Sequence, residues 1–363
     1  MTGPMQPFPD GTAAPDLSRV EVIAPNFKQR LSGVTSTIVQ LVPLQARTVG
    51  IATLGPGLPD SLPKLRWWQL ADLWRRPASG RKRIWHARRN VEMIGGIVLK
   101  SVLRMPLHLV FTSAAQRDHR PFTKWLIRRM EAVIATSARS GSFLEVPHTV
   151  IMHGVDLDAF HPARTADDGF AASGLPGKYA VGCFGRVRAQ KGTDLFIDAM
   201  IALLPDRPDW TAVITGRVTA EHRGFAEELK RRIATAGLQK RILFLGEVPE
   251  IKAWYRRVSL YVAPSRNEGF GLTPLEAMAS ATPVVASDAG AYAEMIVEGE
   301  TGSVVPAGDG SALTAAIRSY LDDPEMAKAH GENGLAHART RFPLSREAHE
   351  IAQVYNQVWS RGG

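Results

Sequence analysis

Short apolar runs alternate with stretches whose apolar positions recur every three or four residues, from about residue 20 to the end of the chain. The first series predicts strands at Val20–Ala24, Thr48–Leu54, Leu107–Thr112, Ala132–Thr136 and Thr149–Met152, with a helix from about Val34. HPARTADDGFAASGLPGK, rich in Gly, Ala, Asp and Pro, then reads as a linker. A second series predicts strands at Tyr179–Phe184, Thr211–Thr215, Ile242–Leu245, Leu260–Ala263, Pro283–Ala286 and Gly302–Val305. Helical patterns such as TDLFIDAMIALL and FAEELKRRIATAG lie between them. Buried strands that alternate with helices imply parallel sheets covered on both faces. Two such series predict two doubly wound α/β domains. Ligands of such sheets sit beyond the carboxyl ends of the strands, so the expected site is a cleft between the domains. The expected boundaries are a disordered tail at 1–17, an N-terminal domain at 18–165, a linker at 166–177 and a C-terminal domain at 178–342. A final helix pattern, about Ser345–Val358 within 343–363, could cross back to the first domain.

Composition narrows the class. The chain has 363 residues, 45% hydrophobic and 22% charged, which suits a globular protein of two ordinary domains. One cysteine, Cys183, rules out an intrachain disulfide and fits a reducing compartment. The start, MTGPMQPFPDGTAAPD, lacks the basic-then-apolar order of a secretory signal. The most apolar run, MIGGIVLKSVL, is interrupted by Lys100, so no membrane-spanning segment is expected. These features predict a cytoplasmic protein.

The formal charge of +9 is uneven. Between Lys64 and Met130 stand sixteen Lys or Arg against three acids, Asp72, Glu92 and Asp118, so the remainder of the chain is net acidic. Five of the eight tryptophans, Trp67, Trp68, Trp74, Trp85 and Trp125, share that stretch. Trp beside Arg and Lys suits the headgroup level of an anionic bilayer. The competing readings are a solvated basic face with Trp in the core, or nucleic-acid binding. The latter lacks any helix-turn-helix, zinc-finger or RNA-binding signature. No GxGxxG follows a strand and no GxxxxGK[ST] occurs, which argues against a dinucleotide oxidoreductase or a P-loop enzyme. The histidines are scattered, with no metal-ligand spacing.

Three stretches carry chemistry. EGFGLTPLE places Glu268 in a Gly-broken loop and Glu276 on the helix that follows. Gly269 and Gly271 permit close approach of the backbone to a ligand, and the start of the helix favours anions. Thr273, Pro274 and Glu276 would equally fit a capping box, and Glu268 a solvated turn. CFGRVRAQKGTDLFIDA places Arg186 and Lys191 at a strand–helix junction after Gly185, two cations suited to a diphosphate or to the surface. RLSGVTST places Gly33 before a helix whose cap would be Thr35 or Ser36.

PSRNEGFGLTPLEAMASATPVVAS resembles the signature of family-four retaining glycosyltransferases of the GT-B fold, which is built from two Rossmann-like domains facing a central cleft. The likeness spans about Val20 to Trp359 and is densest after Tyr179. It implies that Glu268 contacts hydroxyls of a donor sugar and that Glu276 holds the ribose. The backbone amides of Gly269, Phe270, Gly271, Leu272 and Thr273 would contact sugar and phosphates, and Arg186 and Lys191 would neutralise a leaving diphosphate. Gly185 and Gly33 would allow the donor close approach. VIMHGVDLDAFHP is similar to the family's stretch before the interdomain linker. KRIWHARRNVEMI and FTSAAQRDHRPFTKWLIRRMEAVIATS bring the chain closest to the lipopolysaccharide core mannosyltransferases of Gram-negative bacteria. One departure stands out. Many relatives carry a His directly after the strand that here ends FTSAA, where this chain has Ala114 and Ala115. Arg117 and His119 are then the candidates near the reacting carbon.

The resemblance thus implies a retaining hexosyltransferase with a nucleotide-sugar co-substrate, GDP-mannose, and no cofactor or metal. Its acceptor would be an anionic glycolipid, the lipopolysaccharide inner core on a lipid A precursor, met at the inner membrane by a peripherally associated protein that binds no nucleic acid. The alternatives are another nucleotide sugar and acceptor, or a sugar phosphorylase.

Overall fold

The structure is a computed structural model that describes residues 15–29 and 33–361. It divides into two compact units, residues 1–152 with 344–363 and residues 153–343. The expected tail lies mostly outside the described residues. Where the two overlap the chain is ordered: Asp16 caps the 3-10 turn Leu17–Arg19, accepting from the Ser18 amide at 2.9 Å.

The first unit holds a seven-stranded parallel sheet. Its strands are β1 (Val22–Pro25), β2 (Ile51–Leu54), β3 (Lys64–Leu65), β4 (Arg83–Ala87), β5 (Leu107–Ser113), β6 (Ala132–Ala135) and β7 (Thr149–Val150), in the order β3-β2-β1-β4-β5-β6-β7. The helices are α1 (Gly33–Gln45), α2 (Asn90–Ile97, continued by a π turn at Val98–Val102), α3 (Pro121–Ile127) and the short α4 (Ala138–Gly141). One apolar cluster lies on each face, one around Ile38, Leu41, Ile84 and Ile151 and the other around Ile23, Trp85, Met93 and Leu109.

The alternation pattern missed β4, the strand at the centre of this sheet. RIWHA carries Arg and His at positions that the sheet buries, and their polar atoms find partners inside. The Arg83 guanidinium donates to the carbonyls of Val20 (2.9 Å), Leu17 (2.8 Å) and Arg75. His86 is bonded on both ring nitrogens, Nδ1 to the Tyr355 hydroxyl at 2.6 Å and Nε2 to Thr112 Oγ1 at 2.7 Å. A buried polar group satisfied in this way no longer opposes burial.

The last helix, Leu344–Arg361, belongs to this unit. Its apolar stripe, Leu344, Ala348, Ile351, Tyr355 and Val358, joins the cluster around Ile38 and Leu41. Arg346 donates to the Met152 carbonyl at 2.6 Å and Trp359 Nε1 to the Lys82 carbonyl at 2.9 Å.

The second unit has six parallel strands, β8 (Tyr179–Phe184), β9 (Trp210–Thr215), β10 (Ile242–Gly246), β11 (Leu260–Ala263), β12 (Val284–Ser287) and β13 (Gly302–Val305). Their order is β10-β9-β8-β11-β12-β13, a doubly wound Rossmann sheet. Helices α5 (Thr193–Leu203), α6 (Arg223–Thr235), α7 (Ile251–Arg257), α8 (Thr273–Ala279), α9 (Tyr292–Met295), α10 (Gly310–Asp322) and α11 (Pro324–Arg341) complete it.

Residues 153–177 depart from the expected division. They belong to the second unit instead of ending the first domain and forming a free linker. The segment folds into 3-10 turns at Ala166–Asp168 and Phe170–Ser173, with Phe170 buried and Asp168 paired to Arg256 at 2.8 Å. Its Gly and Asp residues are turn formers, and composition alone does not separate a packed turn from a free linker.

Candidate active site

In the second sheet the strand order reverses between β8 and β11, which pair in parallel. The loops that leave their carboxyl ends carry the two strongest stretches of the sequence. After β8 come Gly185 and exposed Arg186, then a 3-10 turn at Ala189–Lys191 that leads through Gly192 into α5. After β11 the chain runs from Pro264 to Leu272 and enters α8.

The two loops are tied together. Gly192 has φ +69°, and a Cβ there would lie 1.9 Å from the Pro264 carbonyl oxygen, so only glycine permits this approach. Arg266 forks onto both Asp194 carboxylate oxygens at 2.8 and 2.7 Å, and its amide donates to the Gln190 carbonyl at 2.9 Å. These ties bring Lys191 and Glu268, 77 positions apart, into an ion pair between half-buried side chains. Arg186 makes no side-chain bond to any described residue and faces the same pocket as Lys191, Thr193, Thr273 and Tyr292.

Glu276 lies in the first turn of α8, but the capping box does not form. The cap is Leu272, with no side-chain bond, and the Glu276 carboxylate instead accepts from the Tyr255 hydroxyl at 2.7 Å. Tyr255 is buried among the rings of Phe160, Phe184 and Tyr261, with centroids 5.7, 5.0 and 5.3 Å away. Burial raises the pKa of Glu276, and the Tyr255 bond opposes that rise. Burial likewise holds the Tyr255 hydroxyl well above its ordinary value, so it stays a donor. Thr273, Ser265, Tyr261 and Tyr292 line one pocket with Arg186 and Lys191.

Gly271 has φ +87°, and a Cβ there would stand 2.3 Å from the Tyr292 ring. The Phe270 side chain is buried edge-on to His153 at 4.7 Å, and its carbonyl accepts from the Ala291 amide at 3.0 Å. Phe270 therefore seats the loop with its ring and its carbonyl. Gly269 donates its amide to Glu268 Oε1 at 3.1 Å.

The remaining candidates lie in the first unit. Gly33 opens α1, and a Cβ there would meet nothing. Thr35, expected as a cap, lies inside the helix, bonded to Asn26 Oδ1 (3.3 Å) and to the Arg89 guanidinium (3.0 Å). Arg89 also bonds Asn26 at 2.7 Å and Glu92 at 2.8 Å, which ties the loop after β1 to the loop after β4, at the point where this sheet too reverses its order. Arg117 is exposed and His119 half-buried after β5, with His119 Nε2 3.5 Å from Ser113 Oγ. Burial lowers the His119 pKa, and Arg117 and Lys124 push it the same way against Asp118.

The structure thus gathers Arg186, Lys191, Glu268, Gly271, Thr273 and Glu276 at one end of one sheet: two cations, two carboxylates, a glycine and one part-buried hydroxyl. Such a set can hold an anion bearing hydroxyls. Sequence reasoning missed Arg266, Asp194, Tyr255 and Tyr292. Arg266 stands two places before Glu268, and its position inside the signature was a usable signal. Tyr255 lies in the short helix Ile251–Arg257 between Trp254 and the Arg256–Arg257 pair, and nothing there marks it.

Residues 167–337 match the family of group 1 glycosyl transferases. The chain is 70% identical to the lipopolysaccharide core biosynthesis mannosyltransferase LpcC of Rhizobium leguminosarum bv. viciae, over 95% of this chain and 98% of that one. It is 56% identical to the lipopolysaccharide core biosynthesis mannosyltransferase LpsB of Rhizobium meliloti, over 94% of this chain and 99% of that one. Among solved structures, Anabaena HepE in complex with UDP and glucose superposes with a TM-score of 0.79 at 19% identity, over 93% of this chain and all of that one. That likeness is one of fold, the GT-B class with its two Rossmann-like units. With a 70% identical relative along nearly its whole length and a matching family domain in its second unit, the chain belongs to the group 1 glycosyl transferases, alongside the lipopolysaccharide core mannosyltransferases.

Proposed function

We propose that this glycosyltransferase moves mannose from GDP-mannose to a hydroxyl of the lipopolysaccharide inner core on a lipid A precursor, with the anomeric configuration retained and without a metal. The observation that carries the reading is the cluster at the switch point of the second sheet, where Lys191 and Glu268 pair beside Arg186 and Glu276. The names of the two Rhizobium relatives support the sugar and the acceptor.

In this mechanism the diphosphate gains negative charge as the glycosidic bond lengthens. Arg186 and Lys191 are cations of the chain itself that stabilise that charge more than the ground state, so no metal is needed there. A phosphate oxygen competes with Glu268 for Lys191. Once Lys191 turns to phosphate, the Glu268 carboxylate is released to accept bonds from sugar hydroxyls. Glu276, aimed by Tyr255, accepts from the ribose hydroxyls. The amides of the loop from Gly269 to Thr273 follow the sugar and phosphates, and Gly185 and Gly33 leave room for the donor. The leaving phosphate oxygen takes the proton of the acceptor hydroxyl on the face it departs from, which gives retention without a covalent intermediate. Arg117 and His119 serve the reacting carbon from the first unit, which takes the acceptor. The protein works peripherally at the cytoplasmic face of the inner membrane.

The test is transfer to extracted inner-core glycolipid with GDP-mannose, UDP-glucose, UDP-galactose or ADP-heptose, with and without chelator, and with the product anomer read by NMR. The reading expects transfer from GDP-mannose alone, undiminished by chelator, with the donor's α-configuration preserved. Transfer from another donor only, an inverted product, or a glycosyl group trapped on Glu268 overturns the corresponding part of it.

A further inference from the structure

The helix that follows β4 is apolar on both of its sides. Met93, Gly96 and Leu99 point into the first unit's core, as a surface helix requires. The opposite side carries Val91, Ile94, Val98 and Val102, spaced three or four apart, and all four are exposed, Val102 by 68%. Between Val91 and Val102 the only charged residues are Glu92, which is buried, and Lys100. A helix apolar all round is normal inside a protein or a membrane and abnormal on a wet surface.

The stripe is continuous with exposed aromatic rings on both flanks. On one flank the 3-10 helix Trp67–Trp74 exposes Trp67, Trp68 (64%) and Trp74. Trp74 Nε1 donates to the Leu103 carbonyl at 2.7 Å, at the end of the stripe, and Trp67 packs on Phe27, whose ring lies against Gly95. On the other flank Asn90 bonds Thr123 at 2.8 Å and so docks α3, which exposes the stacked rings of Phe122 and Trp125. Arg129 lies over Trp125 at 3.4 Å. Ten of the twelve large hydrophobic side chains exposed among the described residues belong to this one surface. Around it stand exposed Arg66, Arg75, Arg76, Arg104 and Arg120, with Arg128 paired to Glu145 at 3.0 Å.

We propose that this face is a membrane-docking surface: the stripe Val91–Ile94–Val98–Val102 lies in the plane of an anionic phospholipid bilayer, with Trp67, Trp68, Trp74 and Trp125 at headgroup level and the surrounding arginines on lipid phosphates. Charge complementarity decides the occupant. An apolar strip rimmed by Trp and by cations with few acids among them matches an interfacial helix on an anionic leaflet. The proposal rests on the glycolipid-acceptor reading only for its purpose. The α3 end of the surface is next to Arg117 and His119, so an acceptor leaving the bilayer there meets those residues without leaving the first unit.

The full-length protein is sedimented with vesicles of equal parts phosphatidylglycerol and phosphatidylcholine, and with vesicles of phosphatidylcholine alone. Binding to the anionic vesicles is expected, with a blue shift of tryptophan emission, and weaker binding to the neutral ones. Val98→Asp and Val102→Asp replace exposed side chains and leave the core intact. Each is expected to lower vesicle partitioning about tenfold or more, with unchanged Tm and unchanged GDP binding. Undiminished partitioning in both variants overturns the proposal. So does a change of oligomeric state by light scattering in place of lost vesicle binding, which would assign the face to a protein partner. If the protein fails to bind vesicles yet still glycosylates detergent-solubilised glycolipid, the docking surface fails and the function stands. If it binds vesicles and transfers nothing, the surface stands and the function fails.

Discussion

Removing one oxygen atom from Tyr255 should separate the donor-holding role of Glu276 from the stability of the fold. Tyr255→Phe keeps the ring packed among Phe160, Phe184 and Tyr261 and deletes only the 2.7 Å bond to the Glu276 carboxylate. A hydrogen bond to a charged group contributes about 1.5–3 kcal/mol. If that bond aims the carboxylate at the ribose, donor affinity should fall roughly 10- to 150-fold, with kcat at saturating donor changed much less. The pH dependence supplies a second signature. Burial raises the Glu276 pKa and the Tyr255 hydroxyl lowers it, so the variant's carboxyl should titrate higher than the wild type's. The ionised form accepts the ribose hydroxyls, so donor binding is lost as pH falls through that pKa. The acid limb of donor binding should therefore move to higher pH in the variant. Calorimetry with GDP across the mildly acidic to neutral range reads both effects. Unchanged affinity with a lowered Tm would refute the reasoning and leave Tyr255 as a core residue whose hydroxyl merely satisfies Glu276.

Lys191→Ala should lower kcat by roughly 100- to 1,000-fold, the usual cost of losing one charge-stabilising donor, with little change in Tm because the Lys191–Glu268 pair is partly open to solvent. A turnover assay beside a melting curve checks both, and Lys191→Arg should recover part of the rate. Arg266→Ala breaks the fork to Asp194 that holds the two loops together. It should raise KM for the donor more than it lowers kcat, and a second substitution at Asp194 should add little to it. Gly271→Ala combines a left-handed φ with a collision against Tyr292. It should destabilise the protein by about 1–3 kcal/mol and abolish donor binding, whereas Gly33→Ala, which meets open space, should leave Tm unchanged.

The parts of this molecule that were legible in the sequence are those where burial and apolarity coincide. Tyr179–Phe184, Leu260–Ala263 and Gly302–Val305 are read to the residue, because every position in a buried parallel strand is either apolar or small. β4 was not legible for the opposite reason. Arg83 and His86 are buried in it, and their partners, the Val20 and Leu17 carbonyls and Tyr355, are remote in sequence. The basic, Trp-rich stretch was read as one surface, yet Trp85 is core while Trp67, Trp68, Trp74 and Trp125 are exposed. In the candidate site, Arg186, Lys191, Glu268 and Glu276 stood in two recognisable stretches. What holds them could not be read: the Arg266–Asp194 fork spans 72 positions, and Tyr255 reaches Glu276 across 21 positions from a different helix. Long-range ties of this kind depend on strand order, which a single sequence does not display.

The central claim is that the cations after β8 bind the diphosphate of an activated sugar. Calorimetric titration of GDP and GDP-mannose into the wild-type protein and into the Arg186→Ala/Lys191→Ala double variant tests it most directly. The account predicts saturable binding of both ligands to the wild type and its loss in a double variant whose melting temperature is unchanged. Undiminished binding in that variant, or no heat from natively folded wild-type protein, would contradict it.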